Sequence, residues 1–334
     1  MNKISIISIL IFIQTLALYA QNESIKISGY AQGTTYHITY FDQNGRDFNF
    51  EIDSILKDFD LSVSTYNPNS IISKINSNQK KVAVDKYFTK CFNKAKEVWS
   101  YTDGAFDPTV FPLVNAWGFG PGKKMNLEKS EIDSILEFVG LNLIDLKGKK
   151  IKKKDPRVSL DFNAFAQGYS VDVVSDFLNK KGILSYLVEI GGEVYAKGKK
   201  LNGDYWTVGI EKPIDNKEST NPLKAIVKLE NMAIATSGNY RRFIIEDGKK
   251  YVHHIDPKTG YPTKNNLLSA SVFSKECITS DATATGILVM GLDKAIEFLK
   301  IHTELEAYLI YFDEQGNYQI YETPGIKNII TEIE

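Results

Sequence analysis

From Ser185 to Phe273 the sequence is a succession of short strand-like segments with only brief turns between them, and this constrains the fold more than any other feature. Tyr186 to Ile190, Val194 to Lys197, Tyr205 to Glu211, Ala225 to Leu229 and Met232 to Ala235 are rich in β-branched and aromatic residues. Arg241 to Glu246 and Lys250 to Ile255 read as a hairpin across Asp247-Gly248. Helical spacing lies elsewhere. Ile52, Ile55, Leu56 and Phe59 repeat at helical intervals after a strand from Gly29 to Phe41. Lys86 to Tyr101 places Phe88, Cys91, Phe92, Ala95, Val98 and Trp99 on one side, with Gly104 as a stop signal. A short strand ending at Leu160 leads into a helix from about Asn163 to Lys180, with Ala166, Tyr169, Val173 and Phe177 on one face. Thr279 or Ser280 caps a helix running to Met290 and stopped by Gly291; a helix from Asp293 to Ile301 and a hairpin at Gly316 follow. Phe106 to Gly122, with its prolines and glycines among large aromatics, reads as an ordered loop, and the lysine-rich run Lys147 to Lys154 as a solvated hairpin around Gly148. Grouped strands with segregated helices and no regular alternation predict an α+β fold with mixed or antiparallel sheets. No repeat or Pro/Ser-rich linker divides the chain, so a single domain is expected.

The first twenty residues differ from the rest. Lys3 precedes an apolar run from Ile4 to Leu18, and Ala20 supplies a small residue before Gln21, the pattern of a secretory signal peptide cleaved near Ala20. A bilayer span needs about 20 apolar residues, whereas this run is shorter and broken by Ser5, Ser8 and Gln14. The expected mature domain is 21–334, exported to the periplasm or cell envelope and free of an integral membrane span. Cysteine occurs only at Cys91 and Cys277, which excludes a lipid-modified cysteine after the leader and leaves either one disulfide or two buried thiols. Lys+Arg 40 against Asp+Glu 41 gives a net charge of -1, so no global field gathers nucleic acid or an anionic membrane. An anionic ligand must be held by a local site.

Four segments carry candidate chemistry. Asp281 and Thr285 lie four apart on a predicted helix, so a carboxylate and a hydroxyl share one face and offer hard oxygen ligands suited to magnesium beside substrate phosphates. Leu160-Asp161 through Gln167-Gly168-Tyr169 opens a helix with small residues, where backbone N–H groups commonly receive phosphate. Gly104-Ala105-Phe106-Asp107 could present an aromatic edge and an acceptor to a heterocycle. His253 and His254 should point to opposite faces of a strand, which argues against zinc and leaves one imidazole for proton transfer. Each segment alone also has a plain structural reading, as helix cap, core loop or strand end.

Together and in order, these segments resemble the ApbE family of FAD:protein FMN transferases. The resemblance runs from Gly29 to about Gly291 through Gly33-Thr34-Thr35-Tyr36, Ser64-Thr65-Tyr66, Gly104 to Thr109, Trp117 to Gly120, Leu160 to Tyr169, Gly191-Gly192-Glu193, Ala235 to Gly238, His253 to Pro262 and Asp281 to Thr285. It implies an ApbE-like α/β roll and an enzyme that transfers FMN from FAD to a Thr/Ser hydroxyl of an exported respiratory or redox flavoprotein. It further implies Mg2+ bound by Asp281, Thr285 and the carbonyl of Ala164, FAD contacts from Gln32, Tyr66, Ala105, Phe106, Asp107, Asp161, Gln167 and Ile255, and His253 as the catalytic base. Gln32 stands where the family often has methionine, Ile71 where a carboxylate is common, and Gln167 where lysine is frequent. Hydrolysis of FAD at the same site, and flavin binding without catalysis, are the alternative activities.

Overall fold

The computed structural model describes residues 24–122, 124–125, 127–213, 223–239, 243–246 and 249–333. The leader expected over 1–20 and the Asp247-Gly248 turn lie outside them. The chain opens with the antiparallel hairpin β1 (Ile25–Ala31) and β2 (Thr34–Tyr40). Periodicity alone predicts one strand here. Gln32 and Gly33, with φ of 54° and 77°, reverse the chain instead. Helices α1 (Asn49–Val63), α2 (Ile71–Asn76) and α3 (Lys86–Tyr101) follow. The bounds of α3 match the prediction because Asp85 caps it, its side chain accepting from Phe88 N, while the apolar side is buried.

The expected loop from Phe106 to Gly122 instead contains a 3-10 turn at Pro108–Val110 and the short helix α4 (Phe111–Ala116). Prolines occupy first-turn positions there, where no N–H is required. After α5 (Lys129–Leu136), β3 (Ile144–Lys147) and β4 (Lys150–Lys153) form the predicted hairpin. Leu160 is in no strand; the side chain of Asn76 bonds both its N–H and its carbonyl, supplying what a neighbouring strand would. Helix α6 (Ala166–Lys180) accordingly starts later than expected. Then come β5 (Tyr186–Ile190), β6 (Glu193–Lys197), β7 (Trp206–Glu211), β8 (Leu223–Leu229), β9 (Met232–Gly238), β10 (Phe243–Glu246), β11 (Lys249–Val252) and β12 (Leu267–Ser274). Helix α7 (Cys277–Met290) has Glu276 at its N-cap, upstream of the predicted Thr279 or Ser280. Helix α8 (Leu292–Ile301), the hairpin β13 (Glu306–Phe312) and β14 (Tyr318–Glu322), and β15 (Ile330–Glu332) complete the chain.

An eight-stranded sheet, ordered β1-β2-β5-β6-β9-β12-β13-β14, forms the centre of this α+β fold. Every strand pairing among the described residues is antiparallel, which narrows the expected mixed or antiparallel arrangement to the second. Both faces of its central strands are buried, so their side chains alternate between two cores. From β12 and β13, Val272 and Leu309 join α7 and α8, while Phe273 and Tyr308 join a small sheet ordered β15-β8-β7. Helix α6 is buried on two sides. Ala166, Tyr169 and Val173 meet the α1–α3 cluster, whereas Val171, Val174 and Leu178 meet β1, β2 and β5. Phe177, expected on the same face as Ala166, Tyr169 and Val173, packs instead with the second cluster, so the helix has two buried faces where its spacing predicts one. Cys91 and Cys277 are buried free thiols, which resolves the cysteine question against a disulfide.

Gly29 of β1 pairs with Tyr36 of β2, and a Cβ added there would land on the Tyr36 ring. That ring is buried, and its hydroxyl donates to Asp53 of α1 at 2.5 Å. Gly29→Val is expected to displace the ring and lower unfolding stability by about 1–3 kcal/mol, read by urea denaturation; wild-type stability would contradict this packing.

Candidate active site

Helix α7 is buried along almost all its length, and Asp281, only 7% exposed, is its fifth residue. The sequence placed Asp281 at the dipole-favoured first turn; the earlier start of α7 moves it deeper. A carboxylate buried at that depth needs donors. Asp281 Oδ2 accepts the N–H of Gly168, the third residue of α6, at 2.9 Å. A Cβ at Gly168 would lie 2.6 Å from the Cys277 carbonyl oxygen and 2.7 Å from Asp281 Cβ, so only glycine permits this approach. In return Asp172 of α6 accepts the N–H groups of Cys277 and Ile278 at 2.7 and 2.9 Å. Neither helix has a side-chain cap of its own. Each is capped by a carboxylate from the other, satisfying donors that a helix start leaves unpaired.

The same burial makes ionisation costly. It raises the Asp281 carboxyl above the ordinary carboxylate range; the Gly168 N–H opposes the shift, and the charge of Asp172 adds to it. Burial likewise raises Asp172, against the pull of its two backbone donors. One turn beyond Asp281, the Thr285 hydroxyl lies 3.3 Å from both the Ala164 carbonyl oxygen and Ser237 Oγ. Carboxylate, hydroxyl and carbonyl thus come together from α7 and the turn before α6. Among the described residues no group of three or more His, Cys, Asp or Glu could hold a metal. This donor set is hard, oxygen-only and low in charge, and it fits magnesium sharing its shell with water and phosphate better than zinc.

These groups open onto a cavity of about 1000 Å³. Gln32, Tyr66, Ala105, Phe106, Asp107, Asp161, Ala164, Gln167, His253, Ile255, Asp281 and Thr285 all line it, so residues dispersed over most of the sequence meet at one place. Their roles in shaping it differ. Tyr66, 61% exposed, offers a free aromatic face. Phe106 is buried edge-to-face against Phe165 at 5.3 Å. Asp107 accepts from Thr109 N and Oγ1 and from Leu141 N, so its carboxylate is engaged in holding the loop instead of being offered outward. Asp161 accepts from Asn163 N at 2.9 Å, and its own N–H donates to the Pro108 carbonyl. Gln167 lies against Gly191, whose φ is 68°; an added Cβ would sit 2.6 Å from Gln167 Nε2. Ile255 is fixed by a β-bridge to Pro262.

The two histidines depart from expectation. β11 ends at Val252, so they do not alternate across a strand; both line the cavity, with ring centroids 3.9 Å apart. Asn239 Nδ2 donates to the Leu267 carbonyl, which orients the amide, so Asn239 Oδ1 accepts from His254 Nδ1 at 2.8 Å. Burial, then the neighbouring His253, holds His254 well below the usual imidazole range, keeping it neutral. His253 is less buried, with Phe119 at a 6.4 Å ring separation. His254, Asn239, Asp172 and Glu193, of which His254 and Glu193 line the cavity, were not among the site residues read from sequence. The strand rule misdirected His254. The aspartate of Gly168-Tyr169-Ser170-Val171-Asp172, one turn after a helix-opening glycine, was the signal available for Asp172.

A profile of the ApbE family matches residues 32–309. A protein of Haemophilus influenzae named FAD:protein FMN transferase is 36% identical over 325 residues, covering 93% of this chain and 93% of the relative. One of the same name from Vibrio cholerae is 36% identical over 282 residues, 82% of this chain and 84% of the relative. Among solved structures, the flavin transferase ApbE from Vibrio cholerae superposes with a TM-score of 0.82 at 34% identity, covering 92% of this chain and 99% of that one. The apo flavinyl transferase ApbE of Pseudomonas stutzeri gives 0.81 at 29% identity, covering 92% and 97%.

A carboxyl raised by folding contributes most to stability when protonated; the contribution is full below its unfolded value near 3.9 and is lost as pH rises through the folded value. In chelator, Asp281→Asn should therefore melt higher than wild type at pH 8, because asparagine still accepts the Gly168 N–H without a buried charge. The two should converge towards pH 5. Thermal denaturation reads this, and a lower Tm for the variant at pH 8 would contradict it.

Proposed function

The chain belongs to the ApbE family, and from that membership we propose that it is an exported, magnesium-dependent FAD:protein FMN transferase. The observation that carries the reading is the convergence of a buried carboxylate, a hydroxyl, a carbonyl and an accessible imidazole on one large cavity. A volume of about 1000 Å³ is at the upper end for small-molecule sites, as a dinucleotide requires. Asp281, Thr285 and the Ala164 carbonyl would hold Mg2+. Bound there, the ion would offset the charge of the FAD pyrophosphate and favour in-line attack at phosphorus.

The chain's own groups account for the rest of the chemistry. His253 takes the proton of a threonine or serine hydroxyl on the acceptor protein. That oxygen bonds to the flavin-side phosphorus, the bond from this phosphorus to the bridging oxygen breaks, and AMP leaves with the electron pair. FMN remains on the acceptor as a phosphoester. Tyr66 at the rim stacks on a ring of FAD, while Asp161 and Gln167 flank the phosphates beside the start of α6. The acceptors are exported respiratory or redox flavoproteins, in keeping with the leader read in residues 1–20. Among the described residues no helix is long and apolar enough to cross a membrane.

Incubation of the purified protein with FAD, Mg2+ and a cell extract is expected to give flavin-fluorescent bands on a denaturing gel. Chelator or Asp281→Ala should abolish them, and His253→Ala should slow labelling by about 10²-fold or more. Free FMN and AMP with no labelled polypeptide would make the protein a hydrolase, and tight flavin binding without turnover a binding protein; either outcome would overturn the proposal.

A further inference from the structure

At the tip of the β1–β2 hairpin, Gln32 has both polar atoms of its side-chain amide, Nε2 and Oε1, buried and without a hydrogen-bond partner. An amide at a hairpin tip would ordinarily turn to water, since a buried donor or acceptor left unpaired is costly. Here the backbone is held. Gln32 adopts a φ of 54°, a region that non-glycine residues seldom occupy, and its main-chain N–H faces the Asp60 carboxyl on α1. Gln32 and Asp60 both line the cavity. A strained residue carrying an orphaned donor and an orphaned acceptor in a cavity wall is arranged for a ligand that brings the complementary pair.

We propose that the Gln32 amide reads the polar edge of a nitrogen heterocycle through two hydrogen bonds, and so determines which dinucleotides this cavity accepts. The inference rests on the reading of FAD as substrate and deepens it. FAD offers that chemistry at two places: the imide edge of the flavin, where N3–H lies between two carbonyls, and the amino and ring-nitrogen edge of adenine, which side-chain amides pair with in two-point fashion. A methionine in its place would have no amide to offer, so Gln32→Met removes both contacts while keeping a side chain of similar length.

Binding of FAD, N3-methyl-FAD and flavin hypoxanthine dinucleotide to the wild-type protein and to Gln32→Met, followed by flavin fluorescence, tests the proposal. The wild type should bind one analogue at least tenfold more weakly than FAD: the N3-methyl compound if Gln32 reads the flavin, the hypoxanthine compound if it reads adenine. Gln32→Met should bind FAD about tenfold more weakly and no longer distinguish FAD from that analogue. The Tm of the ligand-free variant should equal or exceed that of the wild type, since two unpaired buried atoms have been removed; a merely structural glutamine would lower stability and affinity together. Equal binding of all three compounds by the wild type, or wild-type discrimination retained in Gln32→Met, would overturn the proposal while leaving the FAD reading intact. Absence of FAD binding by the wild type would overturn both.

Discussion

Two buried aspartates on neighbouring helices hold the site together. Asp281 of α7 pairs with the first turn of α6, and Asp172 of α6 pairs with the first turn of α7. Each helix start gains an acceptor that its own sequence does not provide, and each carboxylate gains donors without which its burial would be prohibitive. Gly168 makes the arrangement possible, because any side chain there would occupy the space of the Cys277 carbonyl and Asp281. The positions of Ala164 before α6 and Thr285 on α7 follow from that contact.

The interlock is stable as geometry but poor as electrostatics. Both carboxyls are held above their ordinary range by burial, and the charge of Asp172 raises Asp281 further. A cation brought to Asp281 would relieve this, so the burial that raises the carboxyl would also favour the metal proposed for it. A chain with a net charge of -1 has no general attraction for a dinucleotide, and under the proposed function a locally bound cation would supply it. The remaining walls are held by the chain's own contacts, Asp107 gripping its own loop and Gly191 leaving room for the Gln167 amide.

Much of this was legible in the sequence where local chemistry decides the outcome. The bounds of α3 follow from its Asp85 cap and apolar spacing, and the hairpins at Gly148 and Gly316 from their turns. The cavity residues were found through their motif order, which their separation in the chain would otherwise conceal. Failures arose where tertiary partners replace local signals. Leu160 reads as strand because its backbone groups need partners, yet Asn76 supplies them from α2. The start of α7 reads late in the sequence because its cap comes from α6, which no local pattern in residues 276–280 records. The strand rule that sets His254 aside ceases to apply after Val252, and its neutral form comes from burial, with the tautomer set by Asn239.

Where a divalent ion sits relative to the interlocked helices is the most direct test of the proposed chemistry. A crystal soaked with FAD and Mn2+, examined by anomalous diffraction, should show an ion coordinated by Asp281, Thr285 Oγ1 and the Ala164 carbonyl oxygen at about 2.1–2.3 Å, touching the pyrophosphate. An ion bound elsewhere, or FAD bound with its pyrophosphate remote from Asp281, would contradict it.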